Sequence, residues 1–309
     1  MKIGIPQSML YYDFNKLFEE FFKNLDIELL VSPKTNINIL NQGVINCVDE
    51  ACLPIKIHHG HVMYLKDKVD YVFVPRIISS YKKEYYCPKQ LGMADMVRHN
   101  ISDITNLLDP IMYFDNNRNK RTSLHNLGKL LNKDSKDIRR ACIKALKTAK
   151  ESDFKYNLPK DNGKINLLII GHPYNIEDSF INMNIIKKLK GKVNLIFTKD
   201  IRTYDIRQSA SGLKKRIFWT HGTEIIGSSY YLIDNNLIDG LIYLSAFGCG
   251  LDSVLINLLE NKSSKNEIPL MIFYLDEQTG EAGFNTRLEA FLDMLNWRWK
   301  NENKLSPSR

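Results

Sequence analysis

The sequence predicts an α/β protein made of two Rossmann-like parallel-sheet domains that face a cleft and are joined by a helical connector. Three observations carry that prediction. Short apolar runs alternate with amphipathic helical patterns in both halves of the chain. The stretch between the halves is charged, rich in Lys and Asn, and patterned as helix. A length of 309 residues with 44% hydrophobic content exceeds the usual single core and suits two. The expected domains are residues 1–114, carrying Cys52 and Cys87, a connector over 115–162, and residues 163–309, carrying Cys249.

The elements follow in order. Lys2-Ile3-Gly4-Ile5 is an apolar run stopped by Pro6, the first strand. Phe14, Leu17, Phe18, Phe21 and Phe22 then fall at helical spacing, one face of an amphipathic helix returning to the sheet. Ile27 to Val31 is the next strand, with a helix near Asn36 to Ile45, another from Pro54 to about Leu65, and a strand from Val69 to Val74. In the connector, Ile138, Ala141, Leu146 and Ala149 share a helical face. Asn162-Gly163 marks a turn, and the alternation resumes. It runs strand 164–171, helix Ile181 to Leu189, strand Val193 to Thr198, strand Leu237 to Leu244, helix Ser253 to Leu259 and strand Leu270 to Leu275. A terminal helix carries Leu288, Phe291, Leu292 and Leu295.

Composition removes several classes of function. The apolar runs, such as Leu167 to Ile170, fall well short of the roughly 20 residues that span a bilayer, so no membrane role is expected. Met1 to Pro6 already reads as a strand without the features of a secretory leader, so a cytoplasmic protein is expected. In that compartment thiols stay reduced, and an odd number of cysteines, five, at irregular spacing does not suggest a disulfide framework. The net charge of +8 is spread over small groups such as Lys187-Lys188 and Lys214-Lys215-Arg216, without a nucleic-acid-binding signature. It reads as solvated surface, and no nucleic-acid partner is expected; an acidic small substrate such as a coenzyme A thioester suits it equally.

Ligands of open parallel sheets collect beyond the carboxyl ends of strands. Cys249 sits there between Gly248 and Gly250, just before a helix that Asp252 or Ser253 can cap. Cys52 and Cys87 stand just before prolines, Pro54 and Pro88, that suit a first helical turn. These three are placed where a thiolate is stabilised, although the spacing matches no compact ferredoxin or zinc pattern, and small buried hydrophobes remain the alternative. His58 and His61 share a helical face that could bind zinc; without a matching carboxylate or cysteine they read as solvated or as lying behind a cluster. His172, in a turn beside Pro173, is a candidate proton shuttle or simply a turn histidine bonded to backbone. Asp276, Glu277 and Glu281 follow a strand end and read equally as an acid/base site or as charges favouring a helix N-terminus.

The segments Val48 to Lys56, Lys83 to Lys89, Gly171-His172-Pro173-Tyr174-Asn175, Ser245 to Gly250 and Asp276 to Gly283 resemble, in order, the acyl-CoA dehydratase activase-related family. That family is a relative of the iron–sulfur subunits of 2-hydroxyglutaryl-CoA dehydratase and benzoyl-CoA reductase. The resemblance runs from Ile3 to about Met294 and is weakest in the connector. It implies a 4Fe-4S cubane, alone or as part of a larger double-cubane cluster, held by Cys52, Cys87 and Cys249 with one iron open. An anaerobic setting is expected of such a protein, and His172 and Glu281, read from their own positions at strand ends, are the candidate catalytic groups. Cys47 and Cys142 lie outside the family's motifs and read as structural. Two departures stand out: Gln7 replaces the arginine of an Ile-Pro-Arg opening, and Gln278 stands where a histidine is frequent.

On that resemblance the chain would be a redox protein that accepts an electron from an ATP-dependent activator protein and passes it to an acyl-CoA or another low-potential acceptor. It lacks a glycine-rich phosphate loop of its own, so ATP hydrolysis would belong to the partner. A second reading is a non-catalytic cluster carrier, paired as a homodimer or with a related cluster-bearing subunit. A third is a cluster-free module that binds a small molecule.

Overall fold

Lys2–Ile5 forms β1 at the centre of a parallel sheet, and Tyr11–Lys23 forms the α1 that covers it. The computed structural model describes residues 1–152, 158 and 162–305. Two units divide the chain: Met1–Phe154 together with Ile217–His221, and Lys155–Arg216 together with Gly222–Arg309.

In the first unit the chain continues as β2 (Glu28–Val31), α2 (Ile37–Ile45), α3 (Leu53–Leu65), β3 (Tyr71–Phe73) and β4 (Arg76–Ser79). Then come α4 (Pro88–Leu91), α5 (Met93–Asn100), β5 (Leu107–Leu108), β6 (Ile111–Tyr113), α6 (Asn117–Leu130) and α7 (Ser135–Ser152). The main sheet has the order β2-β1-β3-β5, with every pairing parallel, and β4 pairs parallel with β6. The aromatic face of α1 buries Leu17, Phe18, Phe21 and Phe22. Phe18 and Phe22 meet Phe73 of β3 edge-on, at ring separations of 4.8 and 5.2 Å. Leu124 and Leu127 of α6 and Ile138, Ala141 and Ala145 of α7 enter the same apolar cluster, so the helices of 117–152 are built into this unit's core. Tyr85 N–H donates to the Phe218 carbonyl at 2.8 Å and its own carbonyl accepts from Thr220 N–H at 2.9 Å, which ties 217–221 to this unit.

α2 and α3 pack with almost no separation. A Cβ on Gly43 would lie 1.9 Å from the carbonyl oxygen of Lys56, and one on Gly60 would lie 1.9 Å from that of Ile39. Asn36 caps α2 by accepting from the N–H groups of Asn38 and Ile39.

The second unit contains β7 (Asn166–Gly171), α8 (Pro173–Glu177), α9 (Ile185–Leu189), β8 (Asn194–Ile196), α10 (Thr203–Ser211) and, from Gly222 onward, α11 (Thr220–Asp234). It ends with β9 (Gly240–Ala246), α12 (Gly250–Lys265), β10 (Leu270–Leu275) and α13 (Glu281–Leu305). Its parallel sheet has the order β10-β9-β7-β8, and β9 is buried along its whole length, as the central strand of a sheet covered on both faces requires. The α/β class with two parallel sheets is therefore as the sequence predicts. Among the described residues, no helix is long and apolar enough to cross a membrane.

The structure corrects the reading of His58, His59 and His61 as solvated. They are 5%, 0% and 0% exposed, because α3 buries nearly its whole circumference. His61 is held between Ser32 Oγ at 2.8 Å and Thr35 Oγ1 at 3.0 Å, so neither of its ring nitrogens is left to bind zinc.

Candidate functional site

β7 and β9 are neighbours, and each delivers a chemically active side chain from its carboxyl end. β7 finishes at Gly171, whose φ of +153° and approach to the Leu244 carbonyl leave no room for a Cβ; that atom would sit 2.5 Å from the oxygen. His172 follows as the N-cap of α8, with Pro173 starting the helix. β9 passes through Phe247 and Gly248, at φ +76°, to Cys249, which is the N-cap of α12. The position read as a cap for Asp252 or Ser253 thus belongs to the cysteine itself, and its side chain makes no capping bond.

The result is a buried cluster. His172 Nε2 lies 3.0 Å from Asp252 Oδ1 and 3.9 Å from Cys249 Sγ. Both His172 and Asp252 are 1% exposed. Asp252 also accepts from Tyr243 Oη at 2.7 Å and Ser245 Oγ at 2.8 Å, so three groups hold its carboxylate. The His172 ring stacks on Tyr174 at 5.0 Å. Burial works against a charge on His172, but the Asp252 carboxylate and the Cys249 sulfur outweigh it and raise its pKa well above the ordinary value. Burial likewise opposes ionisation of Asp252, yet His172, Tyr243 and Ser245 together hold its pKa below the usual carboxylate value.

This geometry is not a nucleophile–base–acid triad. In a triad the two ring nitrogens divide the work, one facing the nucleophile and one the carboxylate, whereas here Nε2 meets both. The arrangement places an imidazolium beside the Cys249 sulfur. A ligand atom from each of His172, Cys249 and Asp252 lies within 4.8 Å of the others, close enough to hold a metal ion. With Asp252 already bonded to three partners, Cys249 Sγ is the atom of the three best suited to ligation.

Cys52 and Cys87, in the first unit, occupy the same kind of position. Cys52 is the N-cap of α3, extended at φ −66° and ψ 152°, and Cys87 is the N-cap of α4 at φ −55° and ψ 141°. Each helix has a proline in its first turn, and neither cysteine side chain makes a capping bond. Lys89 Nζ reaches the Glu50 carbonyl at 3.4 Å, which brings the head of α4 to the loop that leads into Cys52. Cys142 instead lies in the apolar cluster on α7, where burial pushes its pKa up to about 11. Cys47 is half-buried after α2, and burial raises its pKa as well.

Of the residues singled out in the sequence, His172 and Cys249 are brought together. Glu281 opens α13 and is exposed, paired with Lys188 Nζ at 2.6 Å rather than with His172. Asp276 is used locally, accepting from Gln278 N–H and Thr279 Oγ1 in its own loop. Sequence reasoning missed the inward role of Asp252 and its supports Tyr243 and Ser245. The signal was available in the period of the strand, since residues 243 and 245 share one face of β9 and that face meets the third residue of the next helix.

Comparison with known proteins gives two matches. The family described as CoA enzyme activase uncharacterised domain (DUF2229) matches residues 2–201. The family described as 2-hydroxyglutaryl-CoA dehydratase, D-component, matches residues 122–295. No curated protein matches the chain.

Proposed function

Since the chain belongs to the family of CoA enzyme activase domains and 2-hydroxyglutaryl-CoA dehydratase D-components, we propose that it is a cluster-bearing redox subunit of a 2-hydroxyacyl-CoA dehydratase-like system. Cys52, Cys87 and Cys249 are the ligands in this reading. One observation carries it: each of the three is the N-cap of a helix and keeps its thiol out of capping, while Cys47 and Cys142 cap nothing. Cysteine is not a favoured N-cap, where Ser, Thr, Asp and Asn lead. Three such placements in one chain suit thiolates, which the N–H groups and dipole of a helix terminus stabilise.

The donor set fits an iron–sulfur cluster, since iron in such clusters selects thiolate. A bound cubane supplies one-electron transfer and a Lewis-acidic iron. The chain's own part is electrostatic. His172 keeps a proton at Nε2 between Asp252 and Cys249, which sets a positive charge beside the half-buried sulfur. Tyr243 and Ser245 hold Asp252 so that this proton stays in position. An ATP-dependent activator is the partner this reading requires, and an acyl-CoA is the substrate class.

Anaerobic reconstitution with iron and sulfide tests it. The wild-type chain is expected to hold about four irons and four sulfides. Cys52→Ser, Cys87→Ser and Cys249→Ser are each expected to lose most of that iron, and Cys142→Ser to keep it. Iron content at the level of a cysteine-free control, or equal loss in Cys142→Ser, would overturn the assignment. Acyl-CoA turnover with a reduced activator then separates a catalytic subunit from a carrier.

A further inference from the structure

The first unit contains a second feature, independent of any metal. A cavity of about 40 Å3 lies at the carboxyl ends of β1 and β3, the place where open parallel sheets receive ligands. Ile5, Met9, Phe18, Phe73 and Met93 give it apolar walls. Set into those walls are His58 and Gln90, 5% and 3% exposed. Nε2 of His58 and both Oε1 and Nε2 of Gln90 have no hydrogen-bond partner in the protein. Native interiors rarely leave such atoms unpaired, and three lining one cavity mark a place where a ligand completes the bonding.

The lining also selects the ligand's chemistry. No Asp, Glu, Lys or Arg borders the cavity. Ser8 Oγ engages His58 Nδ1 at 2.9 Å, so Nε2 is the ring atom left for a ligand. Burial, reinforced by His59 and His61, holds His58 neutral. A charged molecule would enter without a counter-charge, at a large desolvation cost. The size is limiting as well: against the roughly 10–15 Å3 that one water requires, the space takes about four non-hydrogen atoms. Gln90 presents a donor and an acceptor side by side, which pair in parallel with another primary amide or with an undissociated carboxyl group.

We propose that this cavity binds a small uncharged molecule whose apolar body rests on Phe18, Phe73 and Met93 and whose amide or protonated carboxyl end pairs with Gln90 and His58. The site links two helices headed by cysteines, since His58 lies on α3 and Gln90 on α4. Its occupant would bridge those helices to the edge of the sheet.

The test uses the full-length, metal-free chain, isotopically labelled for NMR, with acetamide and acetate as probes. Each has four non-hydrogen atoms; they have nearly the same shape and differ in charge at pH 7. Acetamide is expected to give saturable shifts in the Gln90 side-chain amide, the His58 ring and the Met93 methyl, and acetate to give none there. Gln90→Leu keeps the volume and removes two of the three unpaired atoms, so it should retain the folded spectrum and weaken acetamide binding at least tenfold. If that variant does not fold, Met93→Phe, which fills the space with carbon, should abolish the shifts. The proposal is overturned if acetamide gives no saturable shift, which would mean a cavity for ordered water alone. Equal binding of acetate, or undiminished binding by Gln90→Leu or by Met93→Phe, would overturn it too.

Discussion

His58, His59 and His61 follow one another closely on α3, and all three are buried with their pKa values lowered, chiefly by that burial. For His61 the value falls from the ordinary 6.5 to about 3. A buried neutral imidazole gains a proton only in the unfolded chain, so the unfolded state binds more protons at every pH between those limits. The contribution of His61 is therefore complete above about pH 6.5 and declines as the pH falls towards 3, by about 1.4 kcal/mol per pH unit. His61→Gln removes one of these groups at the cost of its bonds to Ser32 and Thr35. Urea unfolding should show the gap between wild type and variant shrinking by about 2 kcal/mol from pH 6.5 to pH 5. An unchanged gap would mean that His61 is protonated in the folded chain. Burial of this kind was illegible in the sequence, where Lys56-Ile57-His58-His59-Gly60-His61 reads as half polar. The packing around it of α2, α5 and the loops after β1 and β2 makes the segment interior.

At the scale of elements, the contact between α2 and α3 reverses an ordinary preference. Replacing a glycine inside a helix by alanine usually stabilises it by about 1 kcal/mol. At Gly60 the added Cβ would fall 1.9 Å from the Ile39 carbonyl oxygen, an overlap relieved only by parting the helices. Gly60→Ala is expected to cost about 3 kcal/mol, the upper end for overpacking, and Gly43→Ala a similar amount. Thermal unfolding of the two variants checks this, and a raised Tm would show that the seam has slack. Both helices were legible, one near Asn36 to Ile45 and one from Pro54 to about Leu65, and the cysteine-headed starts of α3 and α4 were legible from Pro54 and Pro88. The seam was not, because a glycine's meaning depends on which backbone approaches it. The short strands β4, β5 and β6, only two to four residues each, gave no pattern long enough to read.

Across the whole molecule, each unit has its own interior. In one, Phe21, Phe22, Phe114, Leu124 and Ile138 are fully buried around the first sheet and its helices; in the other, Ile169, Ile170, Tyr243, Leu255 and Leu259 are fully buried around the second. Two such cores predict unfolding that departs from a single two-state step. Calorimetry should give an enthalpy larger than the van't Hoff value, with Gly60→Ala shifting only the part that belongs to the first unit. One transition that moves as a block would show the two cores melting together. The alternation of strand and helix made both sheets legible from composition and period. The buried Asp252 carboxylate was less so, because its role comes from β7 and β9 lying side by side, a pairing between residues far apart in the chain.

The seam between α2 and α3 also bears on how this protein can change over generations. A clash with a side chain can be relieved by a second substitution that trims the neighbour. Here the neighbours are the carbonyl oxygens of Ile39 and Lys56, which every amino acid carries, so no change at positions 39 or 56 can compensate for a larger residue at 60 or 43. A suppressor search begun from Gly60→Ala should therefore return true revertants and distant, generally stabilising changes, but no local partner. The two glycines are locked singly, without the co-varying neighbours by which packed positions usually reveal themselves.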